Sequence, residues 1–227
     1  MFSSPFPEFI SFYCGKNLPE KDFRILPEEQ VIAESFGSQK RRAEFMKGRV
    51  YAHEALSKFG LESEPILRNP KSREPCWPNS VWGSITHSSG FVAVAVGLKK
   101  EINGVGIDLE SLSKSLNFEI RRHVCVDSEI KWLESLPPKQ ANRALCIIFS
   151  AKESIFKCLY PSSKTYLNFK DAEVLLNETE NIEITNVLHT NNLMMELEKT
   201  SILTNMDTIT NNNDECIICT ELLSENQ

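Results

Sequence analysis

The chain has 227 residues, 41% of them hydrophobic and 25% charged, a balance that lets a globular protein bury a sizeable core. Its formal net charge is −6, which argues against the basic surface of a nucleic-acid binder. No apolar run approaches the roughly 18 residues of a membrane span, and the first ten residues lack a signal-peptide pattern. The seven cysteines are irregularly spaced and read as reduced thiols of a cytoplasmic protein, not as a disulfide framework.

In chain order, a proline-dotted aromatic segment comes first. A helix is predicted over 38–59, with Phe45, Ala52, Leu56 and Phe59 at helical spacing and Gly60 as its stop. Pro65, Pro70, Pro75 and Pro78 make 62–80 an extended, ordered loop. Strands follow at 81–86 and 91–98, joined by a turn around Ser88, Ser89 and Gly90, and a third at 104–110. A helix over 127–136 is expected to start on an Asp127 N-cap. A longer helix over 139–160 is expected to end at Pro161. Segments 183–188 and 215–223 alternate like strands, with a turn at 211–214 before the last. Residues 190–213 are rich in Asn and Thr and are expected to form a mobile insertion.

No repeat of solenoid period is visible, but all glycines lie at or before Gly106. This divides the chain into an N-terminal subdomain, 1–103, and a C-terminal subdomain, 104–227, each mixing helices and strands in an α+β arrangement. Cys216 and Cys219 form a C-x-x-C pair with no second ligand pair nearby, so they read as strand thiols and not as a zinc site.

Four groups of residues carry candidate chemistry. In Gly104–Val105–Gly106–Ile107–Asp108–Leu109–Glu110, strand alternation turns Ile107 and Leu109 to a core and Asp108 and Glu110 to the other face. Two carboxylates so close repel unless a hard cation lies between them, and Mg²⁺ prefers such oxygens. On the long helix, Ser150, Glu153 and Lys157 share a face, so Glu153 would add a third carboxylate and Lys157 and Lys152 would neutralise phosphates. His87 ends a strand in Gly83–Ser84–Ile85–Thr86–His87, flanked by hydroxyls. Arg42, Arg49 and His53 lie within roughly 40° of one another on a helix, a cationic stripe to which Arg73 in the proline-rich loop adds a charge.

Taken together these motifs resemble the 4′-phosphopantetheinyl transferases of the surfactin-type group, in the subgroup similar to enterobactin synthase component D. The matching residues are Arg42-x-Glu44-Phe45-x-x-Gly48-Arg49, Arg73-x-Pro75-x-Trp77-Pro78, Gly83 to His87, Gly106 to Glu110, and Phe149-Ser150-x-Lys152-Glu153-Ser154-x-x-Lys157. The resemblance implies a pseudo-dimer of two similar α+β subdomains with the active site in the cleft between them. It implies transfer of 4′-phosphopantetheine from coenzyme A to a serine of an apo acyl or peptidyl carrier protein, dependent on Mg²⁺ and releasing 3′,5′-adenosine bisphosphate. By motif position Asp108, Glu110 and Glu153 would hold Mg²⁺, and Glu153 and Lys157 would be catalytic. Arg42, Arg49, Arg73, His87, Lys152 and Lys157 would contact coenzyme A. The subgroup points to carriers of siderophore or other secondary metabolism, and the internal pseudo-dimer to a monomer. Competing readings are a Mg²⁺-dependent hydrolase of pyrophosphate bonds and a non-catalytic coenzyme A-binding or docking module.

Overall fold

The computed structural model describes residues 4–16, 25–112, 116–176, 184–187, 200–211 and 214–225, with side chains up to residue 174. In the first half, β1 (Ser11–Gly15), β4 (Val81–Ser88) and β5 (Phe91–Leu98) form an antiparallel sheet of order β1-β5-β4. Its β5 is apolar on both faces. Val92, Val94 and Val96 pack against Tyr51, Ala52, Ala55 and Leu56 of the helix α2 (Gln39–Ser57), while Phe91, Ala93 and Ala95 face a second cluster. The β4–β5 hairpin turns on Ser89 and Gly90, at φ 49 and 83. These positive values suit the two-residue turn that matches strand twist.

The second half repeats the plan. β6 (Gly104–Ser111), β9 (Thr200–Asn211) and β10 (Asp214–Glu225) form an antiparallel sheet of order β6-β10-β9. A long helix, α5 (Pro138–Ser163), packs on β6. The approach is close because a Cβ on Gly106 would stand 2.0 Å from the Ser154 carbonyl oxygen. Only a residue without a side chain fits there. Gly106, Asp108 and Glu110 alternate onto this helix-facing side, while Ile107 and Leu109 join the core with Phe91, Ala93 and Ala95.

The two halves carry the same buried hub. In the first, Glu29 is the third residue of α1 (Pro27–Glu34) and is fully buried. It accepts the Leu26 N–H at 3.1 Å and the Ile66 N–H at 2.8 Å, and pairs with His53 Nε2 of α2 at 2.9 Å. In the second, Glu129 is the third residue of α4 (Asp127–Ser135). It accepts the Val126 N–H at 2.8 Å and the Val174 N–H at 2.7 Å, and pairs with Lys152 Nζ of α5 at 2.7 Å. Each hub ties a short helix, a long helix and the start of a later segment to one carboxylate. That repetition makes the molecule a pseudo-dimer of two α+β halves.

The sheets meet edge to edge through side chains. The Ser84 hydroxyl accepts the Ile107 N–H at 3.1 Å, and the Thr86 hydroxyl accepts the Leu109 N–H at 3.2 Å. Hydroxyls of β4 thus take the place of a backbone ladder to β6 and satisfy N–H groups that would be costly to bury unpaired.

Several expected boundaries shift for physical reasons. The loop over 62–80 contains a small hairpin, β2 (Leu67–Arg68) with β3 (Pro75–Cys76), because Asn69 Oδ1 accepts the Lys71 and Ser72 N–H groups and closes the turn. Asp127 lies inside α4, whose N-terminus is capped instead by Glu129 reaching back to Val126. Pro161 lies within α5, which ends on Lys164 at φ 53; a proline in the last turn removes only one helical hydrogen bond. A four-residue helix, α3 (Arg121–Val124), precedes α4. Two short strands, β7 (Val174–Leu176) and β8 (Ile184–Val187), pair beyond α5. Of the expected insertion, 200–211 is strand β9, paired along its length with β10. Residues 190–199 and the turn residues 212–213 lie outside the described residues, as do the side chains of Cys216 and Cys219.

Candidate active site

β6 and α5 gather the predicted carboxylates. Asp108 is 5% exposed. Its Oδ1 accepts Lys157 Nζ at 2.6 Å and the Thr86 hydroxyl at 3.2 Å. Its Oδ2 is buried with no hydrogen-bond partner among the described residues. Burial pushes the Glu110 carboxyl up to about 7, with Asp108 and Glu153 adding to the rise and Lys157 opposing it. Burial also raises Glu153, against the pull of Lys157 and with a further push from Asp108. The four side chains therefore form one electrostatic unit with more negative than positive charge.

β4 connects this unit to a cationic cavity. Thr86 faces β6, and its neighbours Ile85 and His87 alternate onto the other side, where they line a cavity of about 360 Å³. Arg41, Glu44, Phe45, Gly48 and Arg49 of α2 line it too, with Arg68, Arg73, Pro75 and Phe36. His87 is half-exposed, with Nδ1 3.9 Å from Glu44 Oε2. The Arg73 backbone has φ 65, unusual for a non-glycine residue. Its guanidinium makes no hydrogen bond or ion pair among the described residues. Arg49 is 5% exposed and donates from Nε to the Ile66 carbonyl at 2.7 Å. Burial lowers its pKa to about 10, against the pull of Glu29.

A second cavity, of about 210 Å³, lies along α5. Glu153 and Phe156 line it together with His123, Tyr166, Leu167 and Phe169.

The placement revises several expectations. Asp108, Glu110, Glu153 and Lys157 come together, as do Arg49, Arg73 and His87. Lys152 joins neither of these groups: it donates to Glu129 and the Val124 carbonyl, at 2.7 and 2.9 Å, in the second hub, and it lines the second cavity beside Glu153. The expected cationic stripe is turned inward. His53 serves the first hub, and Arg42 donates to the Glu34 carbonyl at 3.3 Å. Arg41 and Arg68 were not singled out in the sequence, yet both line the cavity. Helical phase could have found Arg41, which is one turn before Phe45 and two before Arg49. Nothing in the sequence points to Arg68, since its position depends on the β2–β3 hairpin.

The carboxylate unit offers Mg²⁺ the oxygen ligands it prefers. Among the described residues, no three His, Cys, Asp or Glu side chains stand as a ready-made metal cage. Mg²⁺ does not require one, since it is commonly held by one or two carboxylates completed by substrate phosphates and water. A cation would partner the buried Oδ2 of Asp108 and offset the burial and the neighbouring carboxylates that raise Glu110. The donor set is all oxygen. The residues fit the ion.

Comparison with known proteins places these halves in one family. The family model described as the 4′-phosphopantetheinyl transferase N-terminal domain matches residues 27–97, and that of the 4′-phosphopantetheinyl transferase superfamily matches 104–211. The chain belongs to the 4′-phosphopantetheinyl transferase superfamily. It is 35% identical over 159 residues to the 4′-phosphopantetheinyl transferase PptT of Mycobacterium tuberculosis, covering 66% of this chain and 64% of that one, slightly less than two thirds of the relative. It is 33% identical to the transferase Svp of Streptomyces mobaraensis, covering 74% of this chain and 68% of the relative. It is 31% identical to enterobactin synthase component D of Escherichia coli K12, covering 70% and 72%. Among solved structures it is similar to the acyl carrier protein synthase of Mycobacterium tuberculosis, at TM-score 0.38 and 20% identity over 55% of this chain and 99% of that chain.

Proposed function

We propose that this protein transfers the 4′-phosphopantetheine group of coenzyme A to a serine of an apo carrier protein in a Mg²⁺-dependent reaction. The observation that carries the reading is the joining, through consecutive residues of β4, of a buried carboxylate–lysine unit to an arginine-lined cavity. Coenzyme A is a polyanion with a pyrophosphate at its centre, and these are the two environments it needs.

In this reading the half before residue 104 holds the 3′-phosphoadenosine end, with Arg73, His87 and Arg49 in the cavity and Arg41 and Arg68 beside them. The half from 104 onward carries Asp108, Glu110 and Glu153, which would hold Mg²⁺, and Lys157 next to Asp108. The second cavity, bordered by Glu153 and Phe156, gives the pantetheine arm somewhere to lie. When bound, Mg²⁺ would supply positive charge against the pyrophosphate oxygens.

The chemistry is displacement at phosphorus. The serine oxygen bonds to the β-phosphorus, and the bond from that phosphorus to the bridging oxygen breaks. 3′,5′-Adenosine bisphosphate leaves with the electron pair. Glu153, a stronger base for being raised by burial, takes the serine proton. Lys157 is held by Asp108 where charge builds on the leaving side.

One chain supplies both walls of the cleft, so a monomer suffices. No disulfide joins the five described cysteines to one another, which accords with a reducing compartment, and the cytoplasm is the proposed location. No helix among the described residues is long and apolar enough to cross a membrane. Relatives named for enterobactin synthesis make siderophore-type carriers the first substrates to try. The test is incubation with coenzyme A, Mg²⁺ and a panel of apo carriers of fatty-acid, polyketide and peptide-synthetase type. At least one should gain about 340 Da, the phosphopantetheine increment. A panel that stays wholly apo would overturn the reading.

A further inference from the structure

We propose that Thr86 is a positioning residue for this transfer: from the N-terminal half, it fixes the orientation of the Asp108 carboxylate in the C-terminal half. The inference rests on the Mg²⁺-dependent reading above.

The hydrogen bonds determine where the Thr86 proton goes. A threonine hydroxyl has one proton and two lone pairs. One lone pair accepts the Leu109 N–H at 3.2 Å. The carboxylate of Asp108 can only accept, so the proton points to Oδ1, also at 3.2 Å. Lys157 Nζ donates to that same Oδ1 at 2.6 Å. Both donors therefore load one oxygen and leave Oδ2 buried without a partner among the described residues. Rotating the carboxylate would break both bonds. Oδ2 is the oxygen held ready for the cation.

Thr86 and Asp108 are both about 5% exposed, so water does not readily replace the hydroxyl. Thr86 also precedes His87, which lines the arginine-rich cavity. Two consecutive residues of one strand thus set the metal carboxylate and a wall of the coenzyme cavity in register. Ser84 provides an internal control. Its hydroxyl makes the equivalent contact to the Ile107 N–H at 3.1 Å, but bonds to no carboxylate among the described residues.

The test is titration of Mn²⁺ by electron paramagnetic resonance onto protein saturated with coenzyme A, without carrier. Wild type, Thr86→Val, Thr86→Ser and Ser84→Ala are compared. Coenzyme A affinity without metal and the melting temperature are measured in parallel. Removing a hydrogen-bond partner of a metal-ligating group typically weakens the metal about 10- to 100-fold. Thr86→Val should show that loss, and Thr86→Ser should recover most of it. Ser84→Ala should lower the melting temperature and leave Mn²⁺ affinity unchanged. Metal-free coenzyme A affinity should be the same throughout. Should Thr86→Val not fold, Thr86→Ala takes its place with the same outcomes.

The proposal fails if the hydroxyl-free variant binds Mn²⁺ like wild type, or if Thr86→Ser is as impaired as Thr86→Val. It also fails if the loss is in metal-free coenzyme A binding, which would make Thr86 a phosphate contact. These outcomes are separable from failure of the functional reading. Wild type that binds Mn²⁺ through Thr86-dependent geometry yet modifies no carrier would sink the transferase assignment alone.

Discussion

Lys152 and Lys157 lie five residues apart on α5, and their fates differ because five helical residues rotate the chain by about 140°. Lys157 turns to β6 and is 27% exposed beside Asp108, whereas Lys152 is 1% exposed inside the Glu129 hub. Some of the cations that face the cavity have little else to bind. Arg73 is one, held on a positive φ that is tolerated where the surroundings enforce it. Arg73→Ala should raise the KM for coenzyme A about tenfold and leave kcat nearly unchanged, the pattern of lost uniform binding. Steady-state kinetics at varied coenzyme A would show it; an unchanged KM would remove Arg73 from the site. At this scale Asp108, Glu110, Glu153 and Lys157 were legible, because strand alternation and helical phase put each on its face. Lys152 and His53 were not, since each is committed to a buried hub. Their partners lie in distant segments, and a sequence does not say which carboxylate or carbonyl a cation will meet.

At the scale of elements, the two hubs decide how each helix pair is anchored. Breaking a buried ion pair by removing one partner typically costs about 3–5 kcal/mol. Lys152→Ala should therefore lower stability by about that amount in urea denaturation. The first hub has a pH signature. Burial would raise Glu29, but hydrogen bonds from His53 and from the Ile66 and Leu26 N–H groups outweigh it and hold it below its ordinary 4.5. A depressed carboxylate contributes stability above its unfolded pKa and loses it as pH falls through the lower folded value. Wild type should thus lose stability as pH falls below 4.5, and Glu29→Gln should be less stable at neutral pH with a shallower acid limb. Equal acid limbs in the two proteins would show that the hub does not govern the transition. Periodicity made α2, β4, β5, β6, α4 and α5 legible, but not β1, α1, the β2–β3 hairpin or α3. The ends were less so, since capping passed to Glu129 and Pro161 cost too little to stop α5. The strand β9 was hidden because its Asn- and Thr-rich composition resembles a loop, and its order comes from pairing with β10.

At the scale of the molecule, the proposed site forms where two similar halves meet. Ser84 and Thr86 join the sheets. An ion pair of 3.0 Å between Lys164 and Glu74 bridges the loop after α5 to the loop that carries Arg73. The duplication left no repeat that could be read in the sequence. Its key positions carry His53 in one half and Lys152 in the other, which share a partner type but not an identity. The central claim is that one chain brings coenzyme A, carboxylates and an acceptor serine together for transfer. The most direct test counts both products of one reaction: 3′,5′-adenosine bisphosphate by chromatography and holo carrier by mass, for wild type and Glu153→Gln. The account predicts the two products in equal amounts, a carrier heavier by about 340 Da, and turnover lower by about 100- to 10,000-fold in the variant. Adenosine bisphosphate released without a heavier carrier, or full turnover in Glu153→Gln, would contradict it.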